Sequence, residues 1–166
     1  MTPRLFEPLA TARLDLCEPG AEHASLMFEA FSSDADVTRY LRWSPHQSLT
    51  EAEMAMVRRL ERLHDRSELS WVVFLRAAGT VAGIVSLWPA ARAAELGFAF
   101  SRSVWGQGLS SEAAGAVLGW AFDRLGVERV WASCDIENRA SMRVLEKLGM
   151  RRERLATLRD PSQPWL

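Results

Sequence analysis

Gly106 and Gly108 stand two apart between an alternating apolar run, Glu95 to Phe100, and a continuous apolar run, Ala113 to Phe122. The first run reads as a strand and the second as a buried helix. Two glycines at such a junction let the backbone turn tightly and leave several N–H groups pointing outward at the positive end of the helix. That arrangement is an anion site, and phosphate is its commonest occupant. Ordinary turns carry the same glycine spacing, so the rest of the chain has to decide between the two readings.

The flanking pattern is that of one mixed α/β domain. Arg13 to Glu18 alternates and stops at Pro19-Gly20, a first strand and turn. Ala21 to Phe31 carries Ala24, Met27, Phe28 and Phe31 at helical spacing, and Asp34 or Asp36 can cap a short helix through Leu41. Ser48 with Glu51 and Thr50 with Glu53 form two overlapping capping boxes ahead of Ala52, Met56, Leu60 and Leu63, an amphipathic helix. Trp71 to Leu75 and Val81 to Trp88 flank Ala77-Ala78-Gly79-Thr80 as a hairpin, with Glu95 to Phe100 as the next strand. After the glycine loop and its helix come a strand from Arg129 to Cys134 and a helix from Arg139 to Leu148, capped by Asn138 and stopped by Gly149. Arg151 to Leu158 reads as one more strand. The order predicts a mixed sheet whose first half is largely antiparallel.

Composition excludes several classes of function. The chain has 166 residues, room for one domain with a substantial core and too few for two. Its net charge of −1 leaves no broad basic field for nucleic acid or an anionic membrane. Cys17 and Cys134 are the two cysteines, which rules out a disulfide-rich secreted scaffold and suits a reducing cytoplasm, although one disulfide between them is open. No apolar run reaches the length of a signal peptide or a membrane span. His23, His46 and His64 lie far apart without metal-ligand spacing. Neither Ser110 nor Ser111 sits in a Gly-x-Ser-x-Gly elbow. Trp71, Trp88, Trp105, Trp120 and Trp131 fall mostly in strands and helices and are assigned to packing.

Two separated strings then agree. AELGFAFSRSVWGQGLSSEA resembles the acyl-CoA-binding motif of the GNAT N-acyltransferases, and VWASCDIENRASMRVLEKLGMRRE resembles the strand and helix that follow it in that family's ribosomal-protein, Rim-type branch. The resemblance extends to Thr11–Leu16 and Val37–Leu41, so it covers most of residues 1–166 as a single acyl-CoA N-acyltransferase domain. It implies a V-shaped split between the strand before the glycine loop and the strand after its helix, with acetyl-CoA as co-substrate. By that resemblance Phe98, Ala99 and Phe100 face the pantetheine arm through backbone groups. Val104, Gly106, Gln107, Gly108, Leu109 and Ser110 supply the pyrophosphate contacts, and Asn138 hydrogen-bonds the pantetheine arm. One position departs from the family pattern: Ser103 stands where Gln or Arg opens the motif; the adjacent Arg102 could replace the lost charge, and weakened binding at most is expected because most of the grip comes from backbone N–H groups.

Acetyl transfer to an amine needs a neutral amine, a stabilised oxyanion and a proton for the departing thiolate. The resemblance gives Ser141 as the donor to the thiolate; satisfying the first turn of its own helix is the plainer role for that serine. Glu95, at the start of the strand beside the acyl group, is the first choice of general base, and Asp160 a distant second. Glu112 reads as a structural acid at a helix N-terminus. A backbone N–H on the Phe98 strand meets the oxyanion. Arg39, Tyr40 and Trp43, with Arg42 and His46 nearby, form an aromatic and cationic set that could receive the acceptor amine, or that anchors its loop against the core.

Rim-type chains continue into a final strand beside the V, and Pro161 and Pro164 make such a strand implausible here. The final strand is therefore expected to be short or missing, with the sheet edge covered in another way, for instance by a second copy in a homodimer. The function expected is transfer of an acetyl group from acetyl-CoA to a primary amine, either a protein N-terminus or a small amine compound. The alternative is a catalytically silent acyl-CoA-binding domain. An unrelated nucleotide binder is disfavoured because no Gly-Lys-Ser/Thr follows the glycines.

Overall fold

The computed structural model describes residues 6–153. Six strands lie in one sheet in sequence order: β1 Leu9–Ala10, β2 Leu14–Cys17, β3 Leu69–Leu75, β4 Thr80–Ala90, β5 Ala93–Phe100 and β6 Arg129–Trp131. Every pairing is antiparallel except β5 with β6, which is parallel. The mixed sheet with an antiparallel first half is as the sequence pattern predicts.

Alternation along the strands divides the core between the two faces. Leu14, Leu16, Trp71, Val73, Val85, Leu87 and Leu96 pack on one face beneath α4 (Leu109–Trp120). Val72, Ile84 and Ala99 pack on the other, against α1 (His23–Met27) and Met56 of α3 (Leu49–His64). Burying a side chain of this size removes about 1.5–3 kcal/mol of unfavourable hydration, so the alternation fixes which residues each face presents.

The helices differ from the sequence expectation in detail. The helix expected over 21–31 is regular only through Met27, after which Phe28–Ser32 widens into a π turn. Asp34 caps α2 (Ala35–Thr38) by accepting the Asp36 N–H at 2.9 Å. Ser48 caps α3 through the Glu51 N–H at 3.2 Å, but the Glu51 carboxylate reaches back to the Gln47 N–H at 2.7 Å and not to Ser48. Thr50 and Glu53 lie inside the helix, so the second box is unused. At the end of α5 (Arg139–Lys147) the N–H groups of Gly149 and Met150 bond the Glu146 and Leu145 carbonyls at 2.9 and 3.1 Å. Gly149 has φ +80°, so this is a Schellman stop of the kind its position predicts.

One expected strand is shorter than its pattern. Alternation continues to Cys134, yet β6 stops at Trp131, because β5 and the chain after Trp131 separate and no neighbour among the described residues remains to pair with. Arg151 to Glu153 have no regular structure, and the remainder of the strand expected to Leu158 lies outside the described residues, as do Asp160 and both C-terminal prolines.

Candidate active site

The site begins where the sheet stops being continuous. β5 pairs with β4 along its whole length, to Phe100, but with β6 only from Ala93↔Arg129 to Glu95↔Trp131. The Ser101 N–H donates to the Ala82 carbonyl at 2.8 Å, which sets the hydrogen-bond alternation along β5. Glu95, Gly97 and Ala99 therefore direct their backbone groups to β4, while Phe98 and Phe100 direct theirs into the gap. The Phe100 carbonyl is taken by the Trp105 indole N–H at 2.8 Å. Among the described residues the N–H and C=O of Phe98 and the N–H of Phe100 have no partner. Of the three residues expected to line the gap through their backbone, Ala99 is turned the other way, its carbonyl toward Gly83 of β4.

At the wide end of the gap lies the glycine loop. Gly106 and Gly108 adopt φ +74° and +75°, which L side chains rarely adopt, and Gly108 is the N-cap of α4. The backbone N–H groups of Gly106, Gln107, Gly108, Leu109, Ser110 and Ser111 donate to nothing among the described residues. Val104 differs: its side chain is buried and its N–H bonds the Ser101 carbonyl at 3.1 Å, so it shapes the turn and offers no donor. Arg102 does not restore the charge missing at Ser103. Its guanidinium pairs with Asp34 at 2.6 Å and Asp36 at 2.9 Å, tying the loop to α2.

Glu112 holds the loop from behind. Its carboxylate accepts from the Thr11 hydroxyl at 2.6 Å, the Arg13 N–H at 2.9 Å and the Arg13 guanidinium at 2.7 Å. Burial pushes its carboxyl upward, but these donors outweigh burial and hold it below the usual carboxylate value. The structural role read from the sequence is the one it has.

Asn138 and Ser141 come together on the far wall. The Asn138 side-chain oxygen accepts the Ser141 N–H at 3.1 Å and caps α5. Helix capping therefore falls to Asn138, and the Ser141 hydroxyl bonds nothing among the described residues and faces the groove. Glu95 sits on the last β5–β6 rung, opposite Trp131, at the closed end of the gap, its side chain 13% exposed. It accepts from Arg42 at 2.6 Å and from the Ser133 hydroxyl at 3.1 Å. Arg42 and Ser133 line the groove and cover the carboxylate. Of the acceptor-side set, Tyr40 and Trp43 also line the groove, whereas Arg39 stacks its guanidinium on the Tyr40 ring at 5.2 Å. Trp43 packs partly on the core and stacks on His46, with ring centroids 5.0 Å apart. The packing assignment holds for Trp71 and Trp120, both buried, but Trp105 and Trp131 are about half exposed and line the groove.

An unpaired strand edge, a nest of outward N–H groups and a capped helix with a free hydroxyl suit an elongated ligand that has amides at one end and a diphosphate at the other. A family model described as an acetyltransferase (GNAT) domain matches residues 13–151. The chain belongs to the GNAT acetyltransferase family. As a member it is an N-acetyltransferase that uses acetyl-CoA, and the residues present fit that donor. Among curated relatives, the N-acetyltransferase YoaA of Bacillus subtilis is 29% identical over 90% of this chain and 85% of its own. A GNAT-family acetyltransferase of Bacillus anthracis has the same fold, with TM-score 0.84 at 24% identity over 96% of this chain and 93% of that one. RimL, a ribosomal alpha-N-protein acetyltransferase crystallised with coenzyme A, superposes with TM-score 0.77 at 20% identity over 86% of this chain and 82% of its own. The resemblance to the ribosomal-protein branch is thus matched in fold.

Three members of this acetyltransferase's groove escaped the sequence reading. Ser133, the buried Glu68 and its partly buried partner Arg59 meet the site only through tertiary contacts. The one local signal was Glu68, a charge directly before an apolar strand.

Proposed function

We propose that this enzyme transfers the acetyl group by direct attack of a primary amine in a ternary complex. The observation that carries this reading is the juxtaposition of the open Phe98 backbone, the Glu95–Ser133 pair and the free Ser141 hydroxyl around one gap. Bound acetyl-CoA supplies a thioester whose carbonyl carbon is the electrophile. The glycine-loop N–H groups from Gly106 to Ser110 hold the diphosphate, with Gln107 contributing its main chain. The Phe98 and Phe100 main chain and the Asn138 amide hold the pantetheine arm.

The residues then divide the proton work. The Phe98 N–H donates to the thioester oxygen as negative charge develops there. Ser133, which lines the groove and donates to Glu95, gives a two-step route from the amine nitrogen to the Glu95 carboxylate. Arg42 keeps that carboxylate oriented. The C–N bond forms as the C–S bond breaks. The amine's proton passes to Glu95, and the sulfur takes a proton from Ser141, which is replenished by solvent. Tyr40 and Trp43 border the path by which the acceptor arrives. RimL's action on a protein N-terminus supports a peptide acceptor here, and a small amine fits the same groove. Both cysteines are free, and we place the enzyme in the reducing cytoplasm.

Release of free thiol from acetyl-CoA with a panel of amines tests the reading. Glu95→Gln is expected to lower kcat by about a hundredfold or more with acetyl-CoA binding unchanged. Tight acetyl-CoA binding with no thiol release for any amine is the outcome against it.

A further inference from the structure

The acceptor side of the groove holds an ion cluster that the chemistry above does not use. Glu68 directly precedes β3 and is 1% exposed, and Arg59 of α3 is 16% exposed. One nitrogen of Arg59, Nη1, makes all of its bonds: to the Glu68 carboxylate, to the Ser70 hydroxyl at 2.8 Å and to the Ser86 hydroxyl at 3.2 Å. Ser70 and Ser86 donate to the same Glu68 oxygen at 2.6 and 3.0 Å, and Arg62 takes the other oxygen at 2.6 Å. The Nε and Nη2 groups of Arg59 donate to nothing among the described residues, and the side chain borders the groove.

The Arg59 guanidinium is largely withdrawn from solvent yet one whole edge meets no acceptor among the described residues, and desolvating a charge is costly unless its donors are satisfied. The Nε–Nη2 edge is the side of the plane that matches two oxygens of a carboxylate or phosphate. The local charge favours an anion as well. Two guanidiniums share the single Glu68 carboxylate, and Arg58, which also borders the groove, has no ion-pair partner among the described residues. Position completes the picture. Ser86 pairs with Gly97, so Glu95 lies on the neighbouring diagonal of the same sheet face, its Cα roughly 7–8 Å from that of Ser86. Arg59 and Ser133 thus border one groove over neighbouring positions of one sheet face, which an amine and an anion on one short molecule or on adjoining residues of a peptide can occupy together.

We propose that Arg59 seats an anionic group of the acceptor, so that the amines acetylated here also carry a carboxylate or phosphate. This rests on the reading that places the amine beside Ser133 and Glu95. Polyamines and other purely cationic amines are then poor acceptors.

Matched acceptors test it: γ-aminobutyrate against its carboxamide, phosphoethanolamine against ethanolamine, and a peptide beginning Ser-Glu against one beginning Ser-Gln. Each anionic member is expected to have a KM about tenfold to a hundredfold lower with similar kcat, and the pair with the largest gap identifies the source of the anion. Arg59→Lys keeps Glu68 paired but has no planar edge, and is expected to raise KM for the anionic member alone. The pair Arg59→Met with Glu68→Gln, which leaves no buried charge, serves if the lysine variant does not fold. Equal KM values within every pair, or an equal loss for both members in Arg59→Lys, overturn the proposal. Calorimetry with coenzyme A-loaded protein reads the subsite without turnover. Anion binding that needs Arg59 but gives no thiol release overturns the transfer reading and keeps the subsite, whereas turnover without anion preference does the reverse.

Discussion

The Arg13 guanidinium donates to the Gln107 carbonyl at 2.9 Å, across 94 residues of sequence. By turning that carbonyl inward it leaves the neighbouring N–H groups facing out, so the anion nest depends on a side chain from the turn between β1 and β2. Glu112 fixes Arg13 in turn.

Glu112→Gln is therefore expected to loosen the nest. It removes charge-assisted bonds to a partly exposed partner, a loss of about 1–2 kcal/mol, and should lower Tm by a few degrees and raise the KM for acetyl-CoA with little change in kcat. The sign with pH follows from the depressed carboxyl. Its contribution is fully present above the ordinary value of 4.5 and is lost as pH falls through the lower folded value. Denaturant titrations of both proteins in acid should show a flatter decline for the variant.

Asn138 and Ser141 should separate stability from chemistry. Asn138→Ala removes the α5 cap and is expected to cost about 1 kcal/mol. Ser141→Ala leaves the cap intact, because only the Ser141 N–H takes part in it. It should leave Tm unchanged and lower kcat by about tenfold or more. Paired thermal melts and thiol-release rates check both.

Gly83→Ala tests how closely β4 and β5 approach. A Cβ at Gly83 would lie 2.3 Å from the Ala99 carbonyl oxygen and 2.8 Å from the Phe100 ring. Backbone cannot yield there as a flexible side chain would, so a loss of about 1–3 kcal/mol is expected. Gly79→Ala meets no atom within 4 Å and strains only its φ of +66°, so its loss should be smaller. Chemical denaturation of the two variants ranks them.

His46 gives the fold a pH dependence in a milder range. Burial chiefly, with Arg58 and Arg59 adding to it and Glu51 opposing, holds its imidazole below the ordinary 6.5. Its Nδ1 lies 3.0 Å from the buried Ser32 hydroxyl. The unfolded chain takes up the proton first, so stability is full above 6.5 and falls as pH drops through the lower folded value. His46→Asn, which keeps a hydrogen-bonding group beside Ser32, should flatten that decline in urea melts taken across the range.

Much of this could be read from local pattern because the physics is local. The alternation of Leu14 and Leu16, the cap at Asn138 and the stop at Gly149 each depend on neighbours within a few residues. The strand β6 shows the limit: alternation to Cys134 describes a chain able to pair, but pairing also needs an edge, and β5 has moved away by then. Charges were the least legible. Arg102 stands beside the place where the loop lacks a cation, yet Asp34 and Asp36, more than sixty residues earlier, claim it. Arg42 and Glu95 meet across 53 residues, and nothing in either segment announces the other.

The early parting of β5 from β6 reaches beyond catalysis. Among the described residues the sheet has rungs open on an inner strand, and a bound molecule that supplies amides there completes it. Mass action then links the folded population to the supply of coenzyme A. When that supply falls, this protein should be the more readily unfolded and degraded.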